Sequence, residues 1–362
     1  MRRRWSGILA TLCVIGLLLA GCGSGAPYVS VTPHAEQPNQ PMSDSIEVSS
    51  FSQLKEEISN VISTGAQECI IYLNDLEEQV AIFYMDAAIR QIVSNDPLGV
   101  YAVNEINYEM GTNAGRAAVA VSIAYKHGRG EILRIKSAPD MDQVFQIVAT
   151  ALESRSELVA VLVQGYEQSD VQAFVSKYAA DHPDVVMEEP EVAVSTFPST
   201  GEERVLEIVF HYQTGREEQQ KMAEQIKPVF TSAELYVTGN ATEVRKAEQL
   251  YSFLMERFDY QIEASKTPTY SLLQNGIGDS RAFACVYAQM CRMAGIDCWA
   301  VKGEYLGAER WWNGFVLNDG YYYVDLLRCN ELGSYQMMTD RQMSGYNWDR
   351  QIYQPLSAEE TE

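Results

Sequence analysis

Across residues 44–218 the apolar positions follow a short period, then a longer one, and the whole succession occurs twice. Alternation of apolar and polar residues marks a strand, and recurrence at i, i+3 and i+4 marks a helix with one buried face. The first run reads as a strand "SIEVSS", a helix "SQLKEEISNVIS", a strand "ECIIYL" and a helix "EEQVAIFYMDAAIRQIVSNDP". Two strands, "VYAVNEINYEM" and "AAVAVSIAYKHGRGE", complete it. The second run reads "EILRIKS", "DMDQVFQIVATALES", "LVAVLV", "SDVQAFVSKYAADHP", "VVMEEPEVAVSTF" and "ERVLEIVFHYQTGREE" in the same roles. Pro97 and Pro183 close the second helices, and Tyr125-Lys126-His127-Gly128 and Tyr212-Gln213-Thr214-Gly215 end the runs, about 87 residues apart. Solenoid repeats are shorter than this, so the pattern predicts two tandem βαβαββ modules, residues 44–131 and 132–218.

Helical spacing resumes at "EEQQKMAEQIKPVFTS" and again at "GNATEVRKAEQLYSFLMERFDYQIE", where Asn240 and Glu243 stand at capping-box spacing. A glycine-rich turn then opens an amphipathic helix and a strand, "NGIGDSRAFACVYAQMCRMAGIDCWAVKGE". "RWWNGFVLNDGYYYVDLL" reads as two strands about a tight turn. After it, "ELGSYQMMTDRQMSGYNWDRQIY" reads as irregular chain, open to a short helix around "MTDRQMSGY", and residues 351–362 as an acidic tail.

The first residues have a different character. Arg2, Arg3 and Arg4 precede an apolar run, residues 5–20, that ends in Leu19-Ala20-Gly21-Cys22. The run is shorter than the roughly 20 residues of a spanning helix, so a signal peptide is expected over residues 1–22. Small residues before the cysteine resemble the lipobox of bacterial lipoproteins, which makes Cys22 the expected lipidation site. Residues 23–43, rich in Gly, Pro, Ser and Gln, read as a tether. The expected location is therefore the outer face of a bacterial cytoplasmic membrane, held there by lipid.

A formal charge of −22, with no basic cluster to offset it, repels polyphosphate and excludes nucleic acid as an expected partner. Of the seven cysteines, Cys69, Cys285, Cys291, Cys298 and Cys329 fall in the folded part. An odd count leaves at least one thiol unpaired, and buried free thiols are expected ahead of a single disulfide. No Cys-x-x-Cys spacing occurs, so no metal site is expected. The histidines are at positions 34, 127, 182 and 211, and the last three stand alone and read as surface or strand residues.

From about residue 241 to 330 the chain resembles the transglutaminase-like superfamily, relatives of the papain-type cysteine enzymes. "GIGDSRAFA" is similar to that family's Gly-x-x-Cys-x-x-Tyr/Phe-Ala helix start, and "MCRMAGIDCWAVKGE" to its helix end and following strand. "RWWNGFVLNDGYYYVDLL" is similar to its His-Ala-Trp-Asn strand, hairpin and Val-Asp strand. The implied fold is α+β, with the tandem modules leading into a transglutaminase-like, papain-like domain over residues 219–350.

That family's chemistry uses a cysteine at the helix N-terminus, a histidine on the next strand and an aspartate that holds the imidazole. Carried over position by position, the three places hold Ser280, Arg310 and Asp325. Cys285 points about 140° away from Ser280 around the helix, and no histidine follows residue 211. Arginine stays protonated, so Arg310 cannot take a proton from Ser280. The expectation is a pseudoenzyme in which Ser280 caps the helix and Arg310 pairs with Asp325. Trp312 and Asn313 are candidate binding residues of a surviving cleft, which aromatic residues could equally close. No cofactor is implied. The rival reading is an amide hydrolase or transamidase with an unorthodox Ser280 site; a solute-binding lipoprotein ranks third. As a binding or scaffold module the chain would meet a cell-envelope protein or polymer.

Overall fold

A computed structural model describes residues 46–317 and 320–353. The leading segment with Cys22, the tether and the tail from residue 354 lie outside the described residues. Among the described residues no helix is long and apolar enough to cross a membrane.

The first sheet forms from β1 (Ile46–Val48), α1 (Phe51–Thr64), β2 (Glu68–Leu73), α2 (Glu78–Asn95), α3 (Pro97–Ala102), β3 (Val103–Asn113) and β4 (Arg116–Tyr125). Ser50 caps α1 by accepting from the Gln53 N–H, and Gly65 ends it in the left-handed region at φ 63°. Leu54, Ile58 and Ile62 recur at helical spacing and are buried against the sheet with Met85 and Ile92 of α2. The strands lie in the order β1-β2-β4-β3, with β1 parallel to β2 and the other pairs antiparallel.

A turn of helix, α4 (Arg129–Ile132), leads to β5 (Lys136–Asp140), α5 (Met141–Glu153), β6 (Leu158–Gly165), α6 (Val171–Asp181), β7 (Glu191–Phe197) and β8 (Arg204–His211). This sheet has the order β5-β6-β8-β7 with the same strand senses as the first. Val144, Val148, Val161, Val175 and Ile208 fill its core. Phe197 meets Tyr101 of α3 edge-on at 5.3 Å, and Ala160 and Val205 join the first core, so the two units share apolar surface.

The third part begins with α7 (Arg216–Tyr236) and α8 (Glu243–Met255). Next come β9 (Asp259–Tyr260), α9 (Pro268–Asn275), β10 (Ile277–Gly278) and α10 (Ser280–Met293). The chain continues through β11 (Cys298–Tyr305), β12 (Ala308–Leu317), β13 (Gly320–Val324), α11 (Leu326–Leu332), β14 (Met338–Thr339), β15 (Tyr346–Trp348) and α12 (Arg350–Tyr353). Five antiparallel strands in the order β14-β13-β12-β11-β15 form its sheet. Residues 282–288 of α10 are all buried, so this helix is enclosed on every side by the sheet, α8 and α9. All five described cysteines are free thiols.

Four of the departures from the expectation have a local reason. The strand expected from residue 100 begins only at Val103. Asp96 caps a short helix by accepting from Gly99 N–H at 2.8 Å, and Pro97 sits at its first position. A side chain at residue 99 would lie 2.3 Å from the Ile92 carbonyl, which is why glycine stands there. "EILRIKS" is a helical turn and a link; only its last two residues enter β5, because Gly128 and Glu131 close a capping interaction at 2.7 Å. The cap of α8 is Thr242, which accepts from Arg245 N–H, and not Asn240. Finally, "MTDRQMSGY" contributes β14, a 3-10 turn and the start of β15 on opposite edges of the sheet in place of a helix.

Candidate functional site

The site grows from the entry to α10. Gly276 ends α9 at φ 81°, and Ile277-Gly278 then pair in parallel with Asp259-Tyr260. Gly278 is packed so closely that a Cβ there would meet the Ala282 Cβ at 2.9 Å and Leu272 at 3.1 Å. This close approach aims the next residues at the sheet. Asp279 is the cap: its carboxylate accepts from Ala282 N–H at 2.8 Å. The expectation that Ser280 caps the helix is thus corrected. Ser280 is the first helical residue, and its Oγ accepts from the Trp311 N–H at 3.3 Å. β13 ends at Val324, opposite Asn313, so the Trp311 amide lies beyond the paired part of that edge. The half-buried Ser280 hydroxyl supplies the acceptor.

Arg310, one residue before Trp311, spans to Asp325 in a two-pronged ion pair: Nε to Oδ2 at 3.0 Å and Nη2 to Oδ1 at 3.0 Å. The Asp325 side chain has no exposed surface and that of Arg310 only 15%. Asp325 also caps α11, accepting from Leu327 and Arg328 N–H groups at 3.1 Å each, and it accepts from the Tyr346 hydroxyl at 2.9 Å. Five donors therefore saturate one buried carboxylate, which is how a charge persists in an apolar site. Burial opposes the charge on Arg310, but the hydrogen bond and charge of Asp325 outweigh it and hold the guanidinium above its ordinary range. Among the described residues no side chain accepts a hydrogen bond from the Ser280 hydroxyl.

Arg281, next along the helix, turns to the second unit. It pairs with Glu189, which also accepts from Ser176, and lies over the Trp311 ring at 5.4 Å. Arg292, at the other end of α10, donates to the Asp181 carbonyl. Together they fix α10 against α6 and the segment after it.

The two expected binding residues are unavailable. Trp312 and Asn313 have no exposed surface. Trp312 lies between Tyr346 and Trp348, edge-on at 5.0 and 5.5 Å, and Asn313 donates through Nδ2 to the Ala284 carbonyl at 2.8 Å. Asn313 joins strand to helix, Trp312 joins strand to strand, and neither meets solvent. Cys285 is enclosed as well, and burial pushes its thiol up to about 12. Cys69, by the same cause and the charge of Glu57, is raised to about 11. Among the described residues no three His, Cys, Asp or Glu side chains gather into a set that could hold a metal ion.

These thiols give a pH prediction. A neutral thiol favoured by the fold contributes stability that is complete below its unfolded value near 9 and is lost as pH rises through the folded value. The thermal midpoint should accordingly fall between pH 9 and 11, and Cys285→Ala should fall less steeply. Parallel curves would rule the thiol out as a cause.

Sequence reasoning missed Asp279 as the cap, Tyr346 as the fifth donor to Asp325, and the Arg281–Glu189 contact. Only the first had a local signal, since aspartate caps a helix as well as serine does and Asp279 stands one residue ahead of Ser280.

Residues 231–326 match the family model described as the transglutaminase-like superfamily. No curated protein matches the chain. Three solved structures match parts of it. A crystal structure of a TGase is 8% identical, with a TM-score of 0.27 over 49% of this chain and 56% of that one, so this chain spans little more than half of that protein's length. A cysteine protease proposed from Cytophaga hutchinsonii is 11% identical, with a TM-score of 0.26 over 44% of this chain and 70% of that one. A protease proposed from Parabacteroides distasonis ATCC 8503 is 9% identical, with a TM-score of 0.23 over 71% of this chain and 40% of that one. The helix-start, strand and hairpin motifs singled out in the sequence fall within the matched span or at its end, and the chain therefore carries a transglutaminase-like domain over residues 231–326.

Proposed function

We propose that this chain is a lipid-anchored, extracytoplasmic lipoprotein whose transglutaminase-like domain has lost papain-type catalysis and serves as a binding or scaffold module at the cell envelope. The observation that carries the reading is the ion pair of Arg310 with Asp325. The group that would hold an imidazole instead holds a permanent cation, and Ser280 faces a backbone amide. Loss of a triad member costs on the order of 10⁴ to 10⁶ in rate, and here two of three positions differ. On this reading the two four-stranded sheets are tandem copies of one βαβαββ module that carries the domain off the membrane. Cys22, the lipobox and the tether supply the anchor, and the acidic surface suits an exported protein.

The test is ammonia release, or incorporation of a primary amine, from glutamine-containing peptides, with wild type beside Ser280→Ala. The expected result is no turnover above background in either. Turnover in wild type that vanishes in Ser280→Ala would replace this reading with the unorthodox hydrolase.

A further inference from the structure

We propose that the corner where β8 enters α7 is a binding site for a small oxyanion, held by Arg155, Tyr212, Arg216 and the first turn of α7. The argument comes from comparing this corner with its counterpart, where β4 enters α4. The two correspond residue by residue. Ile123 N–H donates to the Gln67 carbonyl at 2.8 Å, and Phe210 N–H donates to the Glu157 carbonyl at 2.8 Å. Gly128 and Gly215 precede their helices with the same backbone, φ −66° and ψ 151° against φ −62° and ψ 150°. Gly65 and Arg155 both follow the end of a helix in the left-handed region, at φ 63° and 54°. Tyr125 therefore corresponds to Tyr212, Arg129 to Arg216, Glu131 to Glu218 and Gly65 to Arg155.

At the first corner the three groups that correspond, Tyr125, Arg129 and Glu131, each find a partner from within. The Tyr125 hydroxyl donates to the Ala66 carbonyl at 2.7 Å. Arg129 donates through Nε to the Thr64 carbonyl at 3.1 Å, lying so close over Gly65 that a Cβ there would meet its Cγ at 2.8 Å. Glu131 accepts from Gly128 N–H at 2.7 Å.

At the second corner all three interactions are missing. The Tyr212 hydroxyl is buried with no partner. Arg155, standing where the first corner has glycine, denies Arg216 the place that Arg129 occupies. Its terminal nitrogens donate to the carbonyls of Glu153 and Val185 at 3.2 and 3.1 Å, but its Nε is buried with no partner. Arg216 makes no ion pair among the described residues, and Gly215 has no side-chain cap. These groups line one cavity of about 330 Å³ with His211, Gln213, Thr214 and Gln219.

Each unsatisfied group there is a donor, so the complement is a group rich in acceptors. Buried donors without partners are uncommon in folded proteins and cost roughly 1–3 kcal/mol each. A helix N-terminus beside arginine favours negative charge. Glu188, the nearest buried carboxylate, already spends its two oxygens on the N–H groups of Gln213 and Thr214, at 2.6 and 2.8 Å. Glu157 also lines the cavity and is exposed. Burial pushes Tyr212 up to about 12, so its hydroxyl keeps its proton and remains a donor. Burial and the like charge of Arg216 lower Arg155, which an anion between them would relieve.

The thermal midpoint of the full chain, followed against inorganic phosphate and against acetate at constant ionic strength, tests the site. A saturable rise is expected, and the ion that saturates at lower concentration identifies the oxyanion as tetrahedral or carboxylate. Arg155→Gly restores the residue of the first corner at a left-handed position that glycine adopts without strain, so it should fold and lose the saturable rise. Tyr212→Phe should raise the half-saturating concentration about tenfold. Arg129→Ala, at the first corner, should leave the curve unchanged. Flat curves with both ions, or the same saturable rise in Arg155→Gly, would overturn the proposal.

Discussion

Arg310→Ala is expected to destabilise the folded chain by about 3–5 kcal/mol, the range for a buried ion pair that loses one partner. The magnitude follows from Asp325, whose side chain has no exposed surface and takes two of its five hydrogen bonds from Arg310. The pair itself is not the main source of the effect. An ion pair moved out of water gives back in desolvation much of what it gains by attraction, whereas a carboxylate left unpaired keeps the whole desolvation cost. Equilibrium urea unfolding provides the measurement. Asp325→Asn should also destabilise, because it weakens the cap on α11 and the contact with Tyr346. The double variant should lose less than the sum of the two, by at least about 1.5 kcal/mol, since with both partners replaced no unpaired charge is left buried. A loss under about 0.5 kcal/mol for Arg310→Ala would mean that water reaches Asp325 and that the pair is only a surface feature.

The same residues show how far the sequence could be read. The spacing of Ser280, Arg310 and Asp325 was legible because helix, strand and hairpin have fixed repeats, so positions along them translate into neighbours in space. The facing of Arg310 and Asp325 followed from that. The status of Trp312 and Asn313 did not. Burial depends on what covers a strand: α10 covers Asn313, and Trp312 is covered by the chain after residue 334, where Tyr346 and Trp348 close over it. That segment has no period, since β14 and β15 are two and three residues long, too short to show alternation. Tyr346 was therefore invisible as a partner for Asp325.

The errors in the first two units have another source. "VYAVNEINYEM" does alternate, but Asp96 and Pro97 form a helix start that takes its first three residues. "EILRIKS" is apolar enough for a strand, yet the Gly128–Glu131 interaction winds it first. Local capping overrode period in both cases, and only the capping residues reveal it. Asp279 is the third instance, and it decides what Ser280 can do. With the cap role taken, the serine hydroxyl is turned to the sheet.

The second large effect concerns what the site would become with its family residues in place. In the double variant Ser280→Cys/Arg310→His, the introduced thiol should titrate below about 7, against an ordinary value near 8.5. Three features lead to this expectation. Residue 280 is the first of α10, where the helix N-terminus favours an anion. Residue 310 adjoins Trp311, whose amide already lies 3.3 Å from the Ser280 oxygen, so the two side chains leave neighbouring points. The far nitrogen of an imidazole is as many bonds from Cα as the Nε of arginine, which reaches Asp325 at 3.0 Å. Asp325 can thus hold an imidazole as it now holds a guanidinium. The rate of iodoacetamide alkylation against pH reports the titration. Cys285, raised to about 12, and Cys69, raised to about 11, stay quiet in this assay. Ser280→Cys alone should titrate at least one unit higher than the double variant, because the charge of Arg310 is spent on Asp325. At pH 6 the double variant should then react about tenfold faster than the single one. If instead the thiol of the double variant titrates at its ordinary value, residue 310 does not reach both partners. The site would then have lost the geometry along with the residues.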